Sequence, residues 1–329
     1  MGHRFVDLSG YAFTGKHAVI DFMREMRDYH VEHFAFEFAL LRIQGGIHDL
    51  EAALVEHWSP LRSDAGIRRF RRVVRRLGTV NQISRPSSWF EAVGWNYDAH
   101  YQGRFLALSD AYLKHLISAE WSADWPFALA ELAPLELFAR KCLSKLRVPG
   151  AMSFPIVLAA PEDFVRHTRD YLQTLLASNV APQTRTIVLH NAFEPFDPLR
   201  SIRLFDDART IVVDRDPRDN YVQGLWYKPT AVDVHTFVQR YRLYRRKTNY
   251  QPDARVLRLA FEDLVLDYDR TRERILAFLG EAADAHVRPK MYFNPEQSKK
   301  NVGLWRTYDR PDEIATIAAA LPEYCDARI

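Results

Sequence analysis

Short apolar runs alternate with longer stretches of helical periodicity at both ends of this chain. Phe5-Val6-Asp7-Leu8 leads into a turn bounded by Gly10 and Gly15, and then into the apolar stretch Ala18-Val19-Ile20-Asp21-Phe22-Met23. That order predicts strand, loop and helix. Thr186–His190, Thr210–Asp214 and Arg255–Leu259 are short, rich in β-branched or aliphatic residues and bounded by turn residues, as buried parallel strands are. Helices are expected over Val234–Lys247 and over Tyr268–Leu279, the second stopped by Gly280. Strands alternating with helices predict an α/β fold, a doubly wound, mainly parallel sheet of P-loop type.

The middle of the chain breaks this rhythm. From about residue 50 to 182 the periodicity is helical, aromatics are frequent and strands are few. We read residues 1–329 as a single α/β domain carrying a mostly helical insertion over that range, divided by Arg85-Pro86, Trp125-Pro126, Pro149-Gly150 and Pro155. Arg68-Arg69-x-Arg71-Arg72-x-x-Arg75-Arg76 interleaves with Ile67, Phe70, Val73, Val74 and Leu77, which gives an amphipathic helix with a cationic face. That face either attracts an anion or simply solvates a helix whose Phe70/Val74/Leu77 stripe is buried. Trp89, Phe90, Trp95, Tyr97, Tyr101, Trp121 and Trp125 either line an acceptor pocket or belong to the core.

Composition narrows the function classes. The chain has 329 residues, 47% apolar and 26% charged, with a net charge of +3. That is enough for a substantial core and too little charge for nonspecific nucleic-acid binding. Cys142 and Cys325 have no metal-ligand or disulfide spacing, so a reducing, cytoplasmic setting is expected. No apolar stretch is long enough for a membrane helix, and no basic-then-apolar leader opens the chain. Neither nucleic acid nor membrane is expected as a partner.

The chemistry concentrates in two motifs. Gly10-x-x-x-x-Gly15-Lys16 has the spacing of a phosphate-binding loop, in which glycines let backbone N–H groups approach an anion at a helix N-terminus and the lysine adds a point charge. A metal-dependent phosphoryl transferase needs Ser or Thr next, where this chain has His17. Val212-Val213-Asp214-Arg215-Asp216-Pro217-Arg218-Asp219 then places Arg215 at the carboxyl end of a strand, where ligands of open α/β sheets bind. Arg215 can chelate a phosphate bidentately; Arg218 can pair with Asp214 or Asp219.

With these motifs the sequence resembles the sulfotransferase family, which uses 3′-phosphoadenosine 5′-phosphosulfate (PAPS). The resemblance covers the first forty or so residues and about Thr186 to Arg306. It implies that the first loop, with Thr14, Gly15, Lys16, His17 and Ala18, holds the 5′-phosphosulfate, and that Arg215 holds the 3′-phosphate. Leu259-Ala260-Phe261-Glu262-Asp263-Leu264 resembles the family's Tyr-Glu-Asp-Leu segment. Ser298-Lys299-Lys300-Asn301-Val302-Gly303-Leu304-Trp305 resembles its late loop over the nucleotide. Phe261, Lys299, Lys300 and Asn301 are therefore donor-site candidates, together with Gln223, which stands where the family often has a serine. Phe261 replaces the family's tyrosine, and Asn301 its glycine. No metal is expected.

Sulfuryl transfer needs a base near the acceptor and a cation near the bridging oxygen. Lys16 is the cation candidate. Glu37 and His190 are the base candidates: Glu37 lies with His33 on one side of an expected strand among aromatics, and His190 ends a strand. Each has a structural alternative, Glu37 as a partner of Arg42 and His190 as a satisfied strand-end residue. Gly45-Gly46-Ile47-His48 is either an acceptor-contacting turn or only the lead into a helix near Asp49. The expected reaction is transfer from PAPS to a hydroxyl, or less readily an amine, of a small molecule or saccharide. The alternatives are a P-loop kinase with Asp214 holding Mg²⁺, and a nucleotide-binding protein without catalysis.

Overall fold

A computed structural model describes residues 2–33, 36–81, 88–227 and 232–329, without the side chains of Phe90 and Glu91. Its strands are β1 (Arg4–Gly10), β2 (Tyr29–Val31), β3 (Ile117–Asp124), β4 (Ser153–Ala159), β5 (Thr186–His190), β6 (Ala208–Asp214) and β7 (Val256–Ala260). The main helices are α1 (Lys16–Met23), α2 (Pro60–Gly78), α3 (Phe105–Leu116), α4 (Pro134–Lys145), α5 (Phe164–Leu176), α6 (Pro217–Trp226), α7 (Val234–Lys247), α8 (Phe261–Leu266), α9 (Tyr268–Leu279) and α10 (Pro311–Ala320). Two compact units result, Met1–Phe38 with Val180–Ile329, and Ala39–Asn179.

The first unit is an α/β layer structure around one parallel sheet in the order β2-β5-β1-β6-β7. Val6 and Leu8 of central β1 are fully buried, and so are Val188, Ile211 and Val213 on its neighbours. With Val19, Ile20 and Phe22 of α1 and Ile275 and Leu279 of α9 they form one apolar cluster. Strands buried on both faces need such near-continuous aliphatic runs, which is why their positions were legible. α7 and α9 occupy the expected residues, and Gly280 ends α9 in the left-handed conformation at φ 71°. The loop after β1, the end of β5, the turn after β6 and the start of α8 after β7 all fall at the carboxyl edge of the sheet.

One expectation fails here. β2 stops at Val31, and Glu32, His33 and residues 36–38 are irregular, with Phe36 N–H donating to the His33 carbonyl (2.8 Å). Phe34 and Ala35 lie outside the described residues.

In the second unit, α2 carries its Ile67, Phe70, Val74 and Leu77 stripe buried. Among the arginines on its other face, Arg68 pairs with Asp64, Arg69 with Glu131 and Arg71 with Glu120. The stripe is thus a largely ion-paired helix face. Asp64 and Ser63 join α2 to β4 by accepting the N–H groups of Val157 (3.1 Å) and Ala159 (2.7 Å). The antiparallel β3–β4 pair lies where helices were expected; β3 is exposed along most of its length and lacks an apolar face to announce it. α3 and α5 meet through stacked Tyr112 and Tyr171 rings, 4.6 Å between centroids. Tyr97 and Tyr101 are core, whereas Trp89, Trp95 and Trp121 are exposed. The expected break at Arg85-Pro86 lies outside the described residues. No helix among the described residues is long and apolar enough to cross a membrane.

Candidate active site at the carboxyl edge of the sheet

The loop after β1 is shaped for an anion. Ala12 (φ 69°), Phe13 (φ 52°) and Gly15 (φ 78°) are all left-handed, a tightly wound loop of the kind in which backbone N–H groups can form an anion-binding nest. A side chain at Gly15 would be strained at that φ, and its Cβ would lie 2.5 Å from the Phe261 ring. Lys16 opens α1, so its charge and the helix N-terminus act at one place. Thr14 is buried and His17 is exposed. Partial desolvation, and then the charge of Lys16, hold the His17 imidazole below its usual range. Ala18 donates its N–H to the Gly15 carbonyl (3.0 Å) and packs on the core.

The Arg215–Asn220 segment grips this loop. Arg215 is buried and donates to the carbonyls of Phe13 and Asn301 and to the side-chain oxygen of Gln223. Its guanidinium lies 5.0 Å from the centre of the Phe261 ring. Asn220 donates to the Ala12 carbonyl (2.7 Å). Asp219 accepts the N–H groups of Gly303 (2.7 Å) and Trp305 (3.1 Å) and so anchors the late loop. Glu262 accepts the Asp216 N–H (3.0 Å), and burial lifts its carboxyl to about 7. Four of the donor-site candidates, Gly15, Gln223, Phe261 and Asn301, thus come together around Arg215 or its ring partner. Lys299 does not join them; it is exposed and pairs with Glu296 (2.8 Å), and Lys300 is exposed on the same loop.

Two readings of this motif need correcting. Arg218 pairs with Asp216 (2.6 Å) and lies 4.3 Å from the Trp305 ring centre, because Asp216 caps α6 with the geometry that presents its carboxylate to the next turn. Asp214, the carboxylate a kinase would use for Mg²⁺, has both oxygens bonded by Arg245, and one also accepts the Arg215 N–H. Arg245 is itself enclosed by the rings of Tyr11, Tyr241 and Tyr324.

Beside the loop, Lys16 Nζ lies 3.2 Å from Glu37 Oε1, and Asn191 Nδ2 donates to the same oxygen. Glu37 thus pairs with the loop lysine. Its side chain is 39% exposed. His190, by contrast, is 1% exposed. Burial and the Lys16 charge push its imidazole down to about 4, and neither ring nitrogen has a hydrogen-bond partner among the described residues. His48 is buried in the second unit.

Three residues were missed. Asp7, fully buried in β1, accepts the Ala192 N–H (2.8 Å) and pins the turn after β5; burial lifts its carboxyl to about 7. Asn191, left-handed at φ 45°, is the residue in that turn that reaches Glu37. Glu32 is buried after β2, and its charge acts on His190. Asn191 stood next to His190 in sequence, and an Asn is a common left-handed residue; Asp7 offered only the oddity of a carboxylate in an apolar strand.

A bound PAPS fits these groups. Arg215 Nε and both His190 nitrogens are buried polar atoms without partners among the described residues, and the nest and helix N-terminus offer N–H groups to phosphate. A parallel α/β sheet with a tight glycine loop after its first strand and an arginine after a neighbouring one has the groups to take an anionic ligand at that edge.

Residues 128–285 match the model of the sulfotransferase family. The match is just under half of the chain; it starts inside the middle region, earlier than the motifs suggested, and takes in Arg215 and Phe261. Over that stretch the chain is similar to the sulfotransferase family. It is similar to a sulfotransferase from Mycobacterium avium, at 14% identity over 98% of this chain and 76% of that one, TM-score 0.39. The sulfotransferase domain of the Synechococcus PCC 7002 olefin synthase is 15% identical over 97% and 94%, TM-score 0.42. Retinol dehydratase, solved with androsterone and the inactive cofactor PAP, is 13% identical over 99% and 82%, TM-score 0.36. No curated protein matches the chain.

Proposed function

We propose that this protein is a sulfotransferase that moves the sulfuryl group of PAPS to a hydroxyl of a small molecule or saccharide, with Glu37 as the base and Lys16 as the cation at the departing oxygen. The contact that carries this reading is Lys16 Nζ to Glu37 Oε1 at 3.2 Å. It puts a cation and an exposed carboxylate side by side at the mouth of the anion nest. The donor, when bound, supplies the sulfuryl group and a good leaving phosphate.

Arg215 holds the 3′-phosphate, with Gln223 and the Asn301 carbonyl fixing its guanidinium and Phe261 beneath it. Thr14 to Ala18 surround the 5′ end, and Lys299 and Lys300 add positive charge on the late loop. Glu37 accepts the acceptor proton; Asn191 and Lys16 orient its carboxylate. His190 is the weaker base candidate because its ring is sealed from an approaching acceptor, and it serves better as a polar wall of the donor site. Two free cysteines are compatible with work in a reducing cytoplasm.

Adenosine 3′,5′-bisphosphate is expected to raise the melting temperature without added metal, and labelled donor to yield labelled product with some member of a hydroxyl-acceptor panel. A shift caused by ATP–Mg²⁺ and not by the bisphosphate would overturn the donor assignment. Binding without turnover on any acceptor would leave a nucleotide-binding protein instead.

A further inference from the structure

Helix α4 has no buried residue along its length. At about 100° per residue, Leu135, Phe138, Cys142, Leu143 and Leu146 fall on one arc of roughly 140°. They are exposed, Leu135 at 79%, Phe138 at 66% and Leu146 at 74%. The opposite side of the helix is the one held to the protein. Arg140 donates to the carbonyls of Ala151 (3.2 Å) and Ser153 (3.4 Å), lies 4.4 Å from the Phe154 ring centre and pairs with Glu136. The apolar arc is thereby fixed facing outward.

Charge says what covers it. Lys141 and Lys145 flank the arc on one side and Arg147 follows it; all three are exposed, and no hydrogen bond or ion pair to another side chain is found for them among the described residues. An isologous contact between two copies would bring these cations towards their own equivalents. An anionic bilayer offers both an apolar layer for the leucines and phenylalanine and negative headgroups for the cations, the arrangement of helices that lie in a membrane interface. We propose that α4 docks this sulfotransferase on anionic lipid surfaces, lying in the headgroup region without spanning the bilayer.

The test is flotation of the intact protein with vesicles of phosphatidylcholine alone and of phosphatidylcholine mixed with phosphatidylglycerol. Three cations at about a factor of five each predict binding to the anionic vesicles on the order of a hundredfold tighter, falling as salt rises. Leu135→Glu/Phe138→Glu should abolish binding, and Lys141→Glu/Lys145→Glu/Arg147→Glu should remove the preference for anionic lipid. Both variants should bind adenosine 3′,5′-bisphosphate as wild type does, which shows that they fold. A polarity-sensitive dye on Cys142, with Cys325→Ser as background, should shift to the blue on anionic vesicles only. Failure of the wild type to float, or flotation undiminished in the charge variant, overturns the proposal. So does a wild-type dimer in light scattering that Leu135→Glu/Phe138→Glu splits, since a second copy would then be the occupant.

Discussion

Lys16 and Glu37 hold each other at 3.2 Å before any acceptor arrives, and that pairing makes their substitutions distinguishable. Glu37→Gln keeps the shape and the Asn191 contact but removes the proposed base. Its kcat should fall by about 10²–10⁴-fold with bisphosphate affinity nearly unchanged. His190→Gln should retain much more activity; equal losses in the two variants would move the base to the histidine. Arg215→Lys tests the other end of the donor. A lysine cannot donate at once towards Phe13, Gln223, Asn301 and a phosphate, so calorimetry should show bisphosphate affinity reduced by roughly 10–100-fold, the worth of one or two charged hydrogen bonds. The residue types at Gly15, Lys16 and Arg215 pointed to an anion site because few other residues do that work, and the structure brings Gly15 and Arg215 against the same Phe261 ring. The Lys16 contact of Glu37 was not legible: Arg42 is the nearer basic residue in sequence, and alternating aromatics suggested a strand at Glu37, which lies in an irregular stretch.

Two carboxylates at element junctions do more than their local sequence suggests. Asp219 sits in α6 and accepts two N–H groups of the late loop. Asp219→Ala should free that loop, at about 1.5–3 kcal/mol for charge-assisted bonds. Hydrogen exchange should quicken over residues 299–305 and bisphosphate should bind more weakly. An unchanged exchange rate there would mean that the loop is held by other contacts. Glu25, just past α1, accepts the N–H groups of Lys290, Tyr292 and Phe293 and bonds His286 Nε2 (2.6 Å). These bonds outweigh burial and hold its carboxyl below the ordinary 4.5. The stabilisation is therefore present above that value and lost as pH falls through the lower folded one. Glu25→Gln should cost about 2–3 kcal/mol at neutral pH in urea unfolding, with the difference from wild type shrinking in acid. α7 and α9 were readable to the residue because their periodicity and caps are local. The loop that Glu25 ties down is not, since its structure comes from a carboxylate more than 260 positions away in the chain.

At the scale of the whole molecule, the presence of buried parallel strands was legible from which runs are aliphatic, whereas their order was not, and the division at Phe38/Ala39 and Asn179/Val180 has no Pro/Gly-rich linker to mark it. The sheet core also sets how stability responds to pH. Asp7 and Glu262 are buried with carboxyl groups lifted to about 7. Each holds a proton in the folded state that the unfolded chain has released above about pH 4, so each contributes stability that fades as pH rises towards 7 and is gone above it. His190 acts with the opposite sign. Its imidazole, pushed down to about 4, opposes unfolding above the ordinary histidine range, and that contribution is lost as pH falls from about 6.5 towards 4. A wild-type pH curve mixes the three, so the difference from single variants is the informative quantity. Asp7→Asn keeps an oxygen for the Ala192 N–H and cannot ionise. Its melting temperature should gain on wild type steadily from pH 5 to 8 and then run parallel to it. Glu262→Gln should behave likewise, with bisphosphate shifting the wild-type midpoint upward because a second anion near Arg215 favours the protonated acid. If the gap between Asp7→Asn and wild type stays constant across that range, Asp7 is ionised in the fold and the sheet core tolerates a charge that its burial argues against.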